Sequence, residues 1–115
     1  MKKFYYLKTC DTCNRIIKEL SLGTDVEMRE IKSEPLTAAE VESLAKKAGS
    51  FEAIFSKRAR KYRSYGLHEQ NLTEGDFKKY LLEDYTFLKR PVLETNSEAI
   101  AGNAKNQIAA MAKLL

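Results

Sequence analysis

The chain has 115 residues, of which 43% are hydrophobic and 31% are charged, and its formal net charge is +4. This length and composition predict one globular domain, residues 1–115, with its own hydrophobic core. No apolar run approaches the roughly 20 residues that a membrane span needs, which argues against an integral membrane protein. The net charge is too small to indicate a nucleic-acid-binding protein by itself.

The first predicted elements are a strand and a helix that meet at Cys10. The apolar run at residues 4–7 is short and aromatic, which predicts a buried strand. The apolar positions that follow recur at helical spacing and share one face: Cys13, Ile16, Ile17 and Leu20. A helix N-terminus offers unpaired N–H groups and about half a positive charge. It can lower a thiol pKa from about 8.5 to between roughly 3.5 and 7.5, so Cys10 is the candidate nucleophile.

The middle of the chain predicts a second strand followed by a block of helices. A strand at residues 26–31 completes a β-α-β unit, whose two strands should be parallel. The block of helices then extends from residue 37 to about 88. Capping boxes at 37–40 and 73–76 mark the beginnings of two of its helices. Between them, residues 57–63 carry five cations, which should mostly form a solvated face.

The C-terminal part predicts an antiparallel hairpin and a final helix. The hairpin strands are residues 91–94 and 98–101, and the helix begins at 102–103. Its inward face should comprise Ala104, Ile108, Met111, Ala112 and Leu115. This element order is the outline of an α/β thioredoxin-like fold, β-α-β followed by β-β-α, with a helical insertion between the halves. The thioredoxin core would be residues 1–34 and 89–115, and the insertion residues 35–88.

The cysteine usage favours redox chemistry in the cytosol. The first strand begins within three residues, which leaves no room for a signal peptide, so we expect a cytoplasmic protein. In that compartment a C-x-x-C pair is catalytic, redox-sensing or metal-binding more often than a permanent disulfide. Zinc needs about four ligands. The chain offers only Cys10, Cys13 and His68 as soft ligands, so we expect no metal site, and we expect His68 at the surface.

Four motifs occur in order along the chain: Cys10-Asp11-Thr12, Ser33-Glu34-Pro35-Leu36, Ser56-Lys57-Arg58 and Lys89-Arg90-Pro91-Val92. With this order and spacing the chain resembles the arsenate reductase (ArsC) family from Lys3 to about Leu115. That family also includes the Spx-type redox regulators of transcription and a glutathione-linked branch of reductases.

The resemblance implies a thiol-dependent oxidoreductase and assigns its site. Cys10 would attack an anionic substrate, either arsenate or a glutathione-type disulfide. Arg58 and Arg90 would hold the substrate's negative charge, and Thr12, in the motif beside the nucleophile, would belong to the same anion site. Pro91 would follow a cis peptide bond and face the catalytic cysteine. No bound cofactor is implied; the reductant would be glutathione with glutaredoxin, or thioredoxin, so a redox partner protein is expected beside a monomeric enzyme.

The role of Cys13 stays open. It lies on the apolar helix face and can be core, but its spacing also allows a disulfide with Cys10 as a resolving or sensing thiol. Arsenate reductases have no cysteine at this place, whereas Spx-type members carry C-x-x-C. The alternative function is therefore an Spx-type regulator, in which the cysteine pair is a switch and the output is binding to RNA polymerase. For the basic run, nucleic acid is the second-ranked partner, after an anion bound beside Cys10.

Two departures from the arsenate reductase pattern bear on the substrate. The arginine after the nucleophile comes one place late, at Arg15. Where those enzymes carry a third anion-binding arginine, this chain offers Gly102, Asn103 and only Lys105. We therefore expect weak use of arsenate.

Overall fold

The computed structural model describes all residues, 1–115, and is built on a four-stranded sheet in the order β2-β1-β3-β4. The strands are β1 (Lys2–Tyr6), β2 (Glu27–Glu30), β3 (Val92–Thr95) and β4 (Ala99–Ala101). Strand β1 pairs in parallel with β2 and antiparallel with β3, and β3 pairs antiparallel with β4. This arrangement confirms the predicted β-α-β unit and C-terminal hairpin, which together make a thioredoxin-like core.

Six helices accompany the sheet. They are α1 (Asp11–Leu20), α2 (Ala38–Ala48), α3 (Phe51–Ile54), α4 (Arg60–Ser64), α5 (Glu74–Glu83) and α6 (Lys105–Leu114). Short 3-10 turns occupy Leu67–Glu69 and Tyr85–Phe87. Both predicted capping boxes are present: the hydroxyls of Thr37 and Thr73 each accept a hydrogen bond, at 3.2 Å, from the N–H three residues later. None of the helices combines the length and the apolar character needed to cross a bilayer.

The sheet separates two apolar clusters because successive residues of a strand point to opposite faces. Phe4 and its cross-strand partner Leu93 pack with Ile16 of α1 and Met111 of α6. On the opposite face, residues of the sheet join a larger cluster with the helical insertion. That cluster includes Tyr5, Val92, Val41, Leu44, Phe55, Phe77 and Phe87. The insertion thus packs directly on the sheet that carries the β1–α1 junction.

A buried carboxylate that was not predicted from the sequence links the insertion to the sheet. Glu94 on β3 is only 4% exposed. Its Oε1 accepts a hydrogen bond from Tyr5 Oη at 2.8 Å, and its Oε2 accepts from Ser43 Oγ at 3.1 Å and Lys47 Nζ at 2.8 Å. Burial alone would raise the pKa of Glu94, but the bonds from Lys47, Tyr5 and Ser43 outweigh it and hold the pKa below its usual value. Every oxygen of this carboxylate therefore has a partner, as a buried charge requires.

The predicted face of the last helix is partly wrong. Ala112 and Leu115 are exposed, whereas Leu114, which was not predicted to face inward, packs beside Ile108 and Met111. The reason lies in the helix bounds. Helix α6 begins at Lys105, later than predicted, so Ala104, which is also exposed, and Leu115 lie outside it and helical spacing does not set their directions. Ala112 lies inside the helix, so these bounds do not explain its exposure.

Candidate active site

Cys10 occupies the predicted junction between β1 and α1. It is the N-cap residue of α1, with extended backbone (φ −92°, ψ 111°), and it is half-buried. No side chain caps this helix, and the backbone N–H groups of Asp11, Thr12 and Cys13 have no hydrogen-bond partner. Such a helix terminus favours a negative charge at the Cys10 sulfur or on an anion bound beside it. The backbone N–H of Thr12, which was predicted to belong to the anion site, is one of these free donors.

Cys13 lies in a different environment, although it is only one helical turn away. Its side chain is fully buried. Burial, together with the neighbouring Cys10, raises the pKa of Cys13 to about 11, although a backbone hydrogen bond from Leu7 and the positive charge of Arg90 act in the opposite direction. Both cysteines are free thiols. Cys13 is therefore protonated near neutral pH and shielded from reagents in solution, while remaining close to Cys10.

Arg90 and Pro91 lie at the entrance to β3. The Arg90–Pro91 peptide bond is cis, as the family resemblance implied, and Pro91 is buried. Arg90 is half-buried and forms no hydrogen bond or ion pair, so its guanidinium has no partner of its own. Because its charge acts on Cys13, Arg90 belongs to the surroundings of the thiols. An unpaired arginine at this position is suited to an anionic substrate.

Arg58 lies on the turn after a short antiparallel bridge. Phe55 pairs with Leu88, and the N–H of Ser56 donates to the Phe87 carbonyl at 2.7 Å. The bridge holds the segment leading to Arg90 beside the segment leading to Arg58. The Arg58 side chain is exposed and has neither a hydrogen bond nor an ion-pair partner, so no contact fixes it at the thiols.

The remaining cations of the basic run divide into paired and unpaired groups. Lys57 forms an ion pair with Glu52 at 2.6 Å, and Lys61 forms one with Asp84. The exposed arginines Arg58, Arg60 and Arg63 have no acidic partner. The prediction of a mostly solvated face is confirmed, and three arginine charges on it are not paired with carboxylates.

His68 is exposed, as predicted. Its Nε2 lies 3.6 Å from a carboxylate oxygen of Glu69, and its ring lies 6.3 Å from that of Tyr62. No group of three or more histidine, cysteine, aspartate or glutamate side chains is arranged to hold a metal ion.

Two residues that hold the nucleophile's loop were not identified from the sequence. The N–H of Lys8 donates to Oε2 of Glu30 at 2.8 Å, and the carbonyl of Lys8 accepts from Nδ2 of Asn14 at 3.0 Å. The N–H of Cys10 donates to the Leu7 carbonyl at 3.0 Å. Asn14 lies in the first helical turn and Glu30 lies at the end of a strand. Only the tertiary fold brings both side chains to the backbone of Lys8.

Comparison with known proteins identifies the family. The sequence model of the ArsC family matches residues 5–111, which is nearly the whole chain. The chain belongs to the ArsC family. Among curated proteins, no sequence matches this ArsC family member significantly.

Solved structures share its fold at low sequence identity. One, described as an ArsC family related protein from Bacteroides fragilis, is 20% identical, with 96% of each chain covered and a TM-score of 0.79. An arsenate reductase from Vibrio cholerae is 15% identical, with 95% of each chain covered and a TM-score of 0.78. An arsenate reductase (ArsC) related protein from Brucella melitensis is 20% identical, with 95% of this chain and 92% of that chain covered and a TM-score of 0.72. These likenesses confirm the thioredoxin-like ArsC fold. Membership of the ArsC family also supports a thiol-dependent, arsenate reductase-like function.

Proposed function

We propose that this ArsC family protein is a thiol-dependent oxidoreductase whose nucleophile, Cys10, attacks an anionic substrate, either arsenate or a glutathione-type disulfide. The observation that carries the proposal is the position of Cys10 at an uncapped helix N-terminus, with three free N–H groups, in the surroundings of the unpaired Arg90. These are the features that stabilise a thiolate and an incoming anion. Arg58 is the second proposed anion ligand, since its side chain is exposed and free to turn towards a bound substrate.

The chemistry balances for both substrates. With a mixed disulfide, the Cys10 thiolate forms a bond to one substrate sulfur, the substrate's S–S bond breaks, and the other sulfur leaves as a thiolate. With arsenate, Cys10 forms an S–As bond and a hydroxide leaves as water after taking a proton. A second thiolate then attacks the Cys10 sulfur. An S–S bond forms, the S–As bond breaks with its electron pair passing to arsenic, and arsenite leaves while Cys10 remains in the new disulfide.

The second thiol has two candidate sources. Glutathione can attack the Cys10 adduct from solution, and glutaredoxin then reduces the resulting mixed disulfide. Alternatively, Cys13 attacks from within and leaves a Cys10–Cys13 disulfide for thioredoxin or glutaredoxin to reduce. Because the pKa of Cys13 is raised to about 11, Cys13 must lose its proton as it attacks.

A thiol-coupled turnover assay tests the proposal. Arsenate and a mixed glutathione disulfide are each supplied to the wild-type protein, Cys10→Ser and Cys13→Ser, with glutathione and glutaredoxin or with thioredoxin as the reductant. We expect turnover of at least one substrate by the wild type and none by Cys10→Ser. Retention of turnover by Cys13→Ser with glutathione would identify the external route. Absence of wild-type turnover under every condition would contradict the enzyme proposal.

A second function, an Spx-type redox regulator, is favoured by one observation. The C-x-x-C pair places a fully buried thiol one helical turn from Cys10. In this function the cysteine pair is a switch, and the output is binding to RNA polymerase. Binding that depends on the oxidation state of Cys10 and Cys13, without catalytic turnover, would support the regulator over the enzyme.

A further inference from the structure

We propose that Glu30 and Asn14 are positioning residues for Cys10, acting together as a clamp on the backbone of Lys8. The inference rests on the proposed function, because it takes Cys10 as the nucleophile. Glu30 accepts from the Lys8 N–H at 2.8 Å, and Asn14 donates to the Lys8 carbonyl at 3.0 Å. Lys8, two residues before the nucleophile, is thus held at its N–H and at its carbonyl by side chains from different elements.

Glu30 is itself held in place by its own loop. Its Oε1 accepts from the N–H groups of Lys32 and Ser33, at 2.9 and 2.7 Å, and from Ser33 Oγ at 2.9 Å. Its backbone is paired with Tyr6 in the parallel β1–β2 ladder. The remaining oxygen, Oε2, is therefore presented to Lys8 from a fixed position. Four donors converge on this one carboxylate, which favours its ionised form.

Asn14 connects the carbonyl of Lys8 to α1. Its backbone N–H donates to the Cys10 carbonyl at 3.1 Å, while its side chain reaches the Lys8 carbonyl. Asn14 therefore holds both the carbonyl of Cys10 and the carbonyl of Lys8. Asn14 is exposed and Glu30 is half-buried, so neither side chain is part of the apolar core. Their hydrogen bonds hold the backbone of the loop that precedes Cys10.

Precise placement matters at this position because Cys10, as the N-cap residue, sets the position of its sulfur relative to the free N–H groups of the first turn of α1. A reactive group must be held within about 0.5 Å of its productive geometry by neighbours that are themselves fixed. A displacement of about 1 Å can cost on the order of a hundredfold in rate. Loosening the backbone of Lys8 would let the position of the Cys10 sulfur vary.

The substitution Glu30→Gln distinguishes the hydrogen bond that Oε2 accepts from Lys8 from the hydrogen bonds that Oε1 accepts from its own loop. An amide has one accepting oxygen and one donating nitrogen. Three donors surround Oε1, so the amide oxygen should face them, and the amide nitrogen should then face the Lys8 N–H, donor against donor. Glu30→Gln thereby breaks the Lys8 contact selectively. Ser33→Ala is the matched control, because it removes one donor to the same carboxylate and leaves the bond to Lys8 intact.

The test measures alkylation of Cys10 and Cys13 by iodoacetamide, with peptide mapping, together with kcat and KM for the better substrate. We expect Glu30→Gln and Asn14→Ala to lower the Cys10 alkylation rate and kcat by about tenfold. KM should change less, since the anion ligands remain, and Cys13 should stay unlabelled. Ser33→Ala should stay within about twofold of the wild type.

Two outcomes would overturn the positioning role. The first is a Cys10 alkylation rate equal to or above that of the wild type in both Glu30→Gln and Asn14→Ala. The second is a rise in Cys13 labelling in both variants, which would show general loosening of the fold. Failure of the proposed function is recognised separately: a wild type that does not turn over any substrate still has a Cys10 alkylation rate, against which the two variants can be compared.

Discussion

Cys13 is fully buried one helical turn behind Cys10, which is half-buried at the N-cap of α1. The two thiols of the C-x-x-C motif therefore differ in both access and environment. One is partly exposed to solvent beside free N–H groups, and the other has no exposed surface. The order in which the two can react follows from this difference.

We predict that Cys10 is alkylated much faster than Cys13 near neutral pH. With a pKa of about 11, Cys13 is ionised to only on the order of one part in ten thousand at pH 7. Its burial slows reagents further. Mass spectrometry of peptides after timed labelling measures both rates. Equal rates, or faster labelling of Cys13, would contradict the assignment of Cys10 as nucleophile.

We predict that mild oxidation joins Cys10 and Cys13 within one chain. They lie one helical turn apart, in a spacing that allows the geometry of a disulfide. The intact mass should fall by two hydrogen atoms in the wild type and stay constant in Cys13→Ser. An unchanged wild-type mass would assign Cys13 to the core and remove the internal route of resolution.

We predict that Arg90→Ala weakens binding of sulfate or an anionic substrate by about tenfold or more. Arg90 has no partner of its own, and a hydrogen bond from an ionised donor to an anion contributes about 1.5–3 kcal/mol. Arg90→Lys should restore only part of the affinity, because lysine cannot donate bidentately. Anion titration and kinetics on these variants and on Arg58→Ala provide the measurement. Unchanged values in both alanine variants would place the anion site elsewhere.

We predict that the stabilising effect of Glu94 is lost in acid. Its pKa in the folded protein lies below the ordinary value of 4.5, so its contribution is complete above about pH 4.5 and declines as the pH falls through the folded-state pKa. Glu94→Gln leaves Lys47 without its buried charge partner. It should lower the free energy of unfolding by about 2–3 kcal/mol near pH 7.

Urea unfolding at several pH values measures this effect. The difference between the wild type and Glu94→Gln should narrow as the pH falls below about 4.5. The exposed Glu98→Gln, which removes the same charge four residues away, should show almost no difference at any pH. A gap between the wild type and Glu94→Gln that does not depend on pH would show that the carboxylate charge is not responsible.

Local signals in the sequence predicted most of the fold and the position of the nucleophile. The capping boxes at Thr37 and Thr73 and the junction at Cys10 involve residues a few positions apart, so neighbouring side chains decide them. The last helix shows the limit of such reasoning. Its inward face was derived partly from Ala104 and Leu115, which lie outside the helix.

The polar contacts of the site and sheet could not be predicted in the same way. Glu94 meets Lys47 across 47 positions, and Glu30 meets Lys8 across 22. In the sequence both carboxylates look like ordinary polar positions of short strands. Their partners are set by strand order and helix docking, which no short-range pattern encodes.

The carboxylate of Glu94 also limits how this protein could be shortened or recombined. Excising the insertion at residues 35–88 would remove Lys47 and Ser43. Only Tyr5 would then remain as a hydrogen-bond partner for the Glu94 carboxylate in the sheet. The same cut would expose the face of β1 and β3 that the insertion covers. A minimal redox domain made from the two terminal segments would therefore need an apolar residue at position 94. For the same reason, an insertion taken from a relative would need a lysine in place of Lys47, or the residue at position 94 would have to be replaced together with the insertion.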